Sequence, residues 1–403
     1  MLSRFVLRRA YRKMGERSPI PFTVRFADGS RYENQLGQTS AFTIIYTSPQ
    51  AEIATIIFGA AGLAEHYFKQ NVDIEGDLIQ LATFNTDGSG GTNPVTRVLN
   101  WWHELMHSNR SLKHAKENAR HHYNRGTELF RQYLDPTMTY TCAYWKEGTT
   151  TLEQAQRDKL EHVCRKLRLK PGDTLVDIGS GWGSLLFHAY ENYGVLGTNV
   201  SPAPDQNAAM QKEIIRRRLE GKIQIQEADF REAKGVYDKY ASLGVYEHAG
   251  YNQLEDWIRS MAGSLKEGGT GILHFIGNIN RDLEGTGYFI RRYIFPGGYL
   301  PGLAETVKIM DKYGLEILDI ENLRRHYAPT LRAWAENFDK NWEKIHALDP
   351  EKYDEYFRRM WRFYLYGCSG IFLAKGNSAG LFQIVFSKGK TTAYPMTRDF
   401  LYK

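Results

Sequence analysis

The chain has 403 residues, with 52 Lys and Arg against 46 Asp and Glu, a formal net charge of +6. That length suits about two or three domains. A content of 42% hydrophobic and 13% aromatic residues excludes a disordered chain, which could not bury enough apolar surface. Three cysteines, Cys142, Cys164 and Cys368, make neither a disulfide framework nor a Cys-rich zinc site. They point to a reducing compartment, and no metal is expected.

The first 17 residues carry Arg4, Arg8, Arg9, Arg12, Lys13 and Arg17, interleaved with Leu2, Phe5, Val6, Tyr11 and Met14. No apolar core follows, which argues against a secretory signal. The pattern predicts a short basic amphipathic helix on an anionic lipid surface, each cation contributing about 1 kcal/mol there. A solvated terminus accounts for it equally well. Phe22–Phe26 and Phe42–Tyr46 read as strands, followed by a helical patch ending in Asn71–Asp77. The most apolar stretch, near Ile53–Ala64, is shorter than the roughly 18–20 residues a membrane span needs. Asn85–Pro94, rich in Gly, Ser and Asn, reads as a linker. Val95–Phe130 has Leu and Trp at helical spacing among many His, Arg and Lys. The modest basic balance does not call for nucleic acid.

From Lys170 strands and helices alternate, the mark of a mostly parallel sheet covered on both faces. Strands are predicted at Thr174–Ile178, Val195–Val200, Lys222–Gln226, Tyr240–Val245, Thr270–Ile276, Leu315–Ile320 and Leu381–Ser387. Helices are predicted at Ser184–Tyr193, Asp205–Leu219 and Leu254–Leu265, the last stopped by Gly268 and Gly269. About 60 helical, aromatic-rich residues precede the seventh strand.

Ligands of such sheets sit beyond the carboxyl ends of the strands, next to the first strand. Asp177-Ile-Gly179-Ser-Gly181-Trp-Gly183 falls there. Its spacing is G-x-G-x-G, with Ser184 where a dinucleotide loop has its third glycine. A pyrophosphate is therefore disfavoured, and a smaller anion such as an amino-acid carboxylate fits the helix N-terminus better. No phosphate-binding Walker loop occurs in the chain.

This loop resembles motif I of class I S-adenosylmethionine-dependent methyltransferases. Around it stand His121-His-Tyr-Asn-Arg-Gly126, Leu134-Asp-Pro136, Tyr140-Thr-Cys-Ala-Tyr-Trp145, Leu152-Glu-Gln-Ala-Gln156, Tyr246-Glu-His-Ala-Gly250, His274-Phe-Ile-Gly277 and Tyr293-Ile-Phe-Pro-Gly-Gly298. In that order and spacing they are similar to the cyclopropane-fatty-acyl-phospholipid synthase family, over about residues 112–388 and more faintly at Leu63-Ala-Glu-His-Tyr67. The resemblance implies an α/β fold: a seven-stranded, Rossmann-like methyltransferase sheet with helical insertions, plus a smaller α+β N-terminal domain. The expected division is 1–84 for a lipid-associated domain, 85–111 for a linker and connecting helix, and 112–403 for the catalytic domain.

An alkene is a weak nucleophile and must be held in line with the sulfonium methyl, away from water. Aromatic faces can stabilise the resulting carbocation, each by about 0.5–2 kcal/mol, and a base must then remove a proton. The resemblance places a bound bicarbonate or carbonate against Cys142, Glu247, His274, the backbone of Ile276 and Tyr327, with Glu247 orienting the ion and taking its proton. It assigns S-adenosylmethionine, or S-adenosylhomocysteine as product, to Tyr140, Thr141, Gly179, Gly181, Gly183, Asn199, Val200, Gln206, Asp229 and Phe230. Candidates for lining the alkene and cation are Tyr144, Trp145, Tyr246, Phe275 and Tyr293. Taken alone, Cys142 reads as a small buried hydrophobe, Glu247 as a helix cap, His274 as a core histidine and Tyr327 as helix packing.

The sequence departs from the family at several points. Asn124 stands for an Asp, Ser180 for a Cys, Tyr246 for a Phe and Phe275 for a Thr. Ser201-Pro-Ala-Pro-Asp-Gln206 is two residues longer than the family's Ser-x-x-Gln, which predicts that Gln206 is withdrawn from the nucleoside. A cyclopropane and a methylene-branched chain share the same first step, so the product stays open. The resemblance further implies an unsaturated phospholipid at a membrane surface, a cytoplasmic protein held peripherally on the inner face of the cell membrane, and room for a homodimer. Trp361, Phe363, Tyr364 and Tyr366 either line an acyl tunnel or cap the sheet. A methyltransferase of soluble metabolites and a non-catalytic lipid-binding paralogue are the competing classes.

Overall fold

The computed structural model describes residues 2–88, 94–109, 111, 125–279, 287–376 and 379–402. The motif residues His121 to Asn124 lie outside them. The chain divides into two compact units, one of residues 1–103, 287–294 and 328–377, the other of 104–286, 295–327 and 378–403.

The first unit holds a four-stranded sheet of β1 (Phe22–Arg25), β2 (Arg31–Glu33), β3 (Phe42–Tyr46) and β4 (Val72–Gly76), in the order β2-β1-β3-β4. β3 alternates buried and half-buried residues, as a strand with one covered face must. The N-terminal helix Leu2–Gly15 packs Leu7 and Tyr11 inward, and the Tyr11 hydroxyl meets that of Tyr46 at 2.7 Å. Its opposite face exposes Phe5, Val6, Arg9, Arg12 and Lys13. Helices Pro49–Phe58 and Ala60–Phe68 cross at Gly62, where any Cβ would collide with the Ala54 carbonyl.

The second unit is built on seven strands: β5 (Thr174–Ile178), β6 (Leu196–Val200), β7 (Ile223–Gln226), β8 (Tyr237–Leu243), β9 (Leu265–Asn278), β10 (Leu315–Asn322) and β11 (Ala379–Lys388). Their order is β10-β11-β9-β8-β5-β6-β7, with β11 antiparallel to both neighbours and β5 to β9 parallel. Consecutive residues fall in different hydrophobic clusters, Leu175 against Val176 and Ile272 against Leu273. Side chains alternate faces along a strand, so both faces are buried, and the strands accordingly read as continuous apolar runs.

Four expectations are corrected. Asn71–Asp77 is mostly strand β4, because its edge pairs with β3. The expected linker is helical through Gly88 and again from Pro94, within Leu78–Gly88 and Pro94–His107. Gly268 and Gly269 do not stop a helix, which ends at Gly263; they sit in an irregular stretch of β9 where the register against β8 shifts. Compactness divides the chain elsewhere than at 84 and 111, since residues 328–377 join the first unit. Helix Glu355–Leu373 sets Phe363 against Tyr67 and Phe68, and Gly370 admits the Ile79 backbone where a Cβ would clash. Trp361 and Tyr364 are buried in this unit, and the Tyr366 hydroxyl donates to Asp339 at 3.0 Å. Helix Leu303–Lys312 was not foreseen.

Candidate active site

At the carboxyl end of β5 the chain turns through Gly179, Gly181 and Gly183, with φ of 75°, 59° and 89°. L side chains rarely adopt those angles, which is the reason for glycine here. Asn199 at the end of β6 holds the turn: its Oδ1 accepts from the Ser180 N–H at 3.2 Å and its Nδ2 donates to Asn207 at 2.9 Å. Helix Ser184–Tyr193 follows at once, so its N-terminal amides open toward the loop.

A cavity of about 1080 Å³, partly open to solvent, lies over this loop. Tyr140, Thr141, Gly179, Gly181, Val200, Gln206, Asp229 and Phe230 all line it. Gln206 is not withdrawn: Pro204 starts helix Pro204–Arg216, placing Gln206 in its first turn beside Gly181. Gly183 and Asn199 shape the loop rather than line the cavity. A Cβ on Gly183 would press on Phe187 and Met210. The Asp229 carboxylate is bound by Arg231 at 2.7 Å and caps the turn Phe230–Glu232.

The lining fits an amino-acid nucleoside. Asp177 Oδ1 is buried without a hydrogen-bond partner at the head of the loop, and burial pushes its carboxyl up to about 7. Such an acid suits a nearby ammonium. Gly244, at φ 71°, leaves room against Thr141 that a Cβ would fill.

Of the expected oxyanion residues none lines the cavity, and Cys142, Ile276 and Tyr327 share an apolar cluster to which Glu247 is hydrogen-bonded. Cys142 packs with Leu323 and Leu381, and Tyr144, Ile276 and Tyr327 close around them. Glu247 Oε1 accepts the Ile276 N–H at 2.5 Å, while its buried Oε2 has no hydrogen-bond partner. The Ile276 amide is thus engaged by Glu247, not left for an anion as expected. Burial pushes Glu247 up to about 7. His274, two residues before Ile276 on β9, is buried, and burial together with Lys159 and Lys166 holds it down to about 3. The Cys142 sulfhydryl donates to the Ala143 carbonyl at 3.2 Å.

The aromatic candidates separate. None of the five lines the cavity, and Tyr246 and Phe275 are fully buried in the core, edge to face with each other at 5.4 Å. Tyr144 is stacked between His162 and His326, at 4.3 and 4.7 Å. The Trp145 N–H donates to His326 Nδ1 at 2.9 Å. Tyr293 belongs to the first unit, where its hydroxyl meets Glu65 and its ring meets Phe68.

Sequence reasoning missed a set of buried polar residues. In helix Leu152–Leu167, Lys159 donates to Thr141 Oγ1 at 2.8 Å, and burial brings its ammonium down to about 8. Lys159, His162 and Lys166 recur at helical spacing on one buried stripe, and Gln383 interrupts the apolar run of β11. Those interruptions of apolar pattern were the available signal.

A seven-stranded sheet with this strand order and a glycine loop after β5 defines a class I S-adenosylmethionine-dependent methyltransferase. Within that class, the sequence model of the mycolic acid cyclopropane synthetase family matches residues 110–384, and the chain belongs to that family. A probable fatty acid methyltransferase of Pseudomonas putida is 32% identical over 95% of this chain and 97% of its own. The cyclopropane-fatty-acyl-phospholipid synthase of Escherichia coli K12 is 36% identical over 69% of this chain and 70% of its own. Among solved structures, cyclopropane synthase MmaA2 from Mycobacterium tuberculosis superimposes with a TM-score of 0.63 at 29% identity, over 68% of this chain and 98% of that one. Mycolic acid cyclopropane synthase CmaA1, complexed with SAH and CTAB, gives 0.62 at 28% identity, over the same shares.

Proposed function

We propose that the enzyme transfers a one-carbon unit from S-adenosylmethionine to the cis double bond of unsaturated acyl chains in phospholipids, forming cyclopropane fatty acids with bicarbonate as the base. One observation carries the reading. Glu247, buried with Oε2 unpartnered, falls in the chain between the cavity-lining Val245 and His248, and its Oε1 ties it to Ile276, which packs with Tyr327 against the cluster of Cys142, Leu323 and Leu381.

Bound S-adenosylmethionine supplies an electrophilic methyl group. The glycine loop, Thr141 and Gln206 orient the ligand that carries it. The apolar cluster excludes water from the neighbouring space, where water would quench a carbocation. Glu247, tied through Oε1 to Ile276, leaves Oε2 as the atom that exchanges a proton at neutral pH. His274, Cys142 and Tyr327 are the side chains that would hold bicarbonate, which supplies a base there.

The same proposal places the protein on the cytoplasmic face of the cell membrane. Support comes from Phe5 and Val6 exposed beside Arg9, Arg12 and Lys13 on the N-terminal helix. No described helix is long and apolar enough to cross a membrane. A homodimer belongs to this expectation and is read by light scattering.

A methylene-branched chain, which shares the same first step, is the second product to be distinguished. The test is purified enzyme with S-adenosylmethionine and cis-unsaturated phospholipid vesicles. Mass spectrometry should detect acyl chains one carbon heavier, and NMR of the former double bond separates ring from branch. Absence of any heavier chain overturns the proposal.

A further inference from the structure

We infer that Lys166 and Gln383 are positioning residues that lock His274 as the neutral tautomer protonated on Nε2, so that it serves the site as a fixed hydrogen-bond donor and not as its base. The residues lie in register, since Gln383 on β11 is the direct partner of His274 on β9. Gln383 Nε2 is 3.1 Å from His274 Nδ1. Lys166 Nζ is 2.8 Å from Gln383 Oε1 and 2.5 Å from Glu321 Oε2, which His162 Nε2 also meets at 2.8 Å. Lys166 and Gln383 are both 0% exposed, so water does not substitute for these contacts.

The donor inventory settles each atom in turn. An ammonium has three donors and no acceptor, so the Gln383 atom facing Lys166 is the amide oxygen. The amide nitrogen therefore faces the ring, and it has only hydrogens to offer. His274 Nδ1 must accept, which leaves the proton of a neutral imidazole on Nε2. An imidazolium would set two donors against each other in a buried site, and a turned amide would set an oxygen lone pair against Nδ1. Burial lowers the Lys166 ammonium from its usual range, and the charge that opposes this is Glu321, itself held down to about 2, against burial, by His162 and Lys166. The charges that act on the ring are those of Lys159, Lys166 and Glu321.

The tautomer follows from this chain of contacts alone; its use as a donor to an oxyanion rests on the function proposed above. The test is a long-range ¹H–¹⁵N correlation on full-length protein with ¹⁵N-labelled histidine, the His274 signals assigned by their loss in His274→Gln. The inference expects Nε2 protonated and Nδ1 bare from pH 6 to 9. A protonated Nδ1 in the unaltered protein overturns it. Gln383→Glu offers Nδ1 an acceptor, so the proton should move there and kcat should fall about 100-fold, the scale of one lost oxyanion donor. KM for S-adenosylmethionine should stay within about 2-fold, since His274 does not line the cofactor cavity. Lys166→Met frees the amide to turn and should produce a mixture of tautomers. Unchanged tautomer and unchanged kcat in both variants overturns the positioning role. Turnover indifferent to bicarbonate depletion, with the tautomer as stated, removes the oxyanion reading and leaves the lock standing.

Discussion

Replacing Glu247 by glutamine should make the protein more stable at alkaline pH while stopping turnover. A carboxyl pushed from 4.5 to about 7 binds its proton more tightly when folded than when unfolded. The folded state is then penalised as pH rises through that window, and above pH 7 the penalty is about 3 kcal/mol. Glutamine keeps an oxygen for the Ile276 N–H and carries no charge, so it escapes the penalty. Guanidinium unfolding at pH 8 should give the variant an advantage of about 3 kcal/mol, shrinking to well under 1 kcal/mol at pH 4.5, where the native acid is protonated. Turnover should fall about 10²- to 10⁴-fold, the usual contribution of a positioned acid or base. Calorimetry should find S-adenosylmethionine binding retained. A variant no more stable than the parent at pH 8, or one that keeps full turnover, refutes the assignment of a strained, working carboxyl.

Asn199→Ala removes the bonds to Ser180 and Asn207 and should weaken S-adenosylmethionine binding by about 10-fold, equivalent to about 1.4 kcal/mol, in calorimetry. Gly62→Ala forces two helices of the first unit apart and should cost about 2–3 kcal/mol in chemical unfolding, because the blocking atom is backbone and cannot rotate away. Reversing Arg9, Arg12 and Lys13 to Glu should abolish flotation with anionic liposomes at low salt. The unaltered protein should lose much of that binding at high salt, since surface attraction is screened within about 10 Å at 0.1 M. Salt-insensitive binding would count against the basic helix as the anchor.

Much of the fold was legible because the controlling forces are local. β5 and helix Ser184–Tyr193 fall on their predicted bounds, and β6, β11 and helix Pro204–Arg216 within one to three residues of theirs. β4 and helix Leu303–Lys312 escaped notice because neither has strong periodicity; a partner strand and the neighbouring core determine them. In the site, the glycine loop was readable from spacing, while the fate of Gln206 was not, because the extra prolines start a helix rather than push the chain outward.

What the sequence determined by itself was the succession of strands β5 to β11, the ligand loop and the family, all carried by near neighbours along the chain. Tertiary structure decided where the candidate aromatics go, sending Tyr246 and Phe275 into the core where the family resemblance had made them candidates for the alkene site. It also joined His274 to Gln383 and Lys166 to Gln383, across 109 and 217 residues. A hydrogen bond that orients a side chain depends on which atoms arrive opposite it, and that is settled only when distant strands pair.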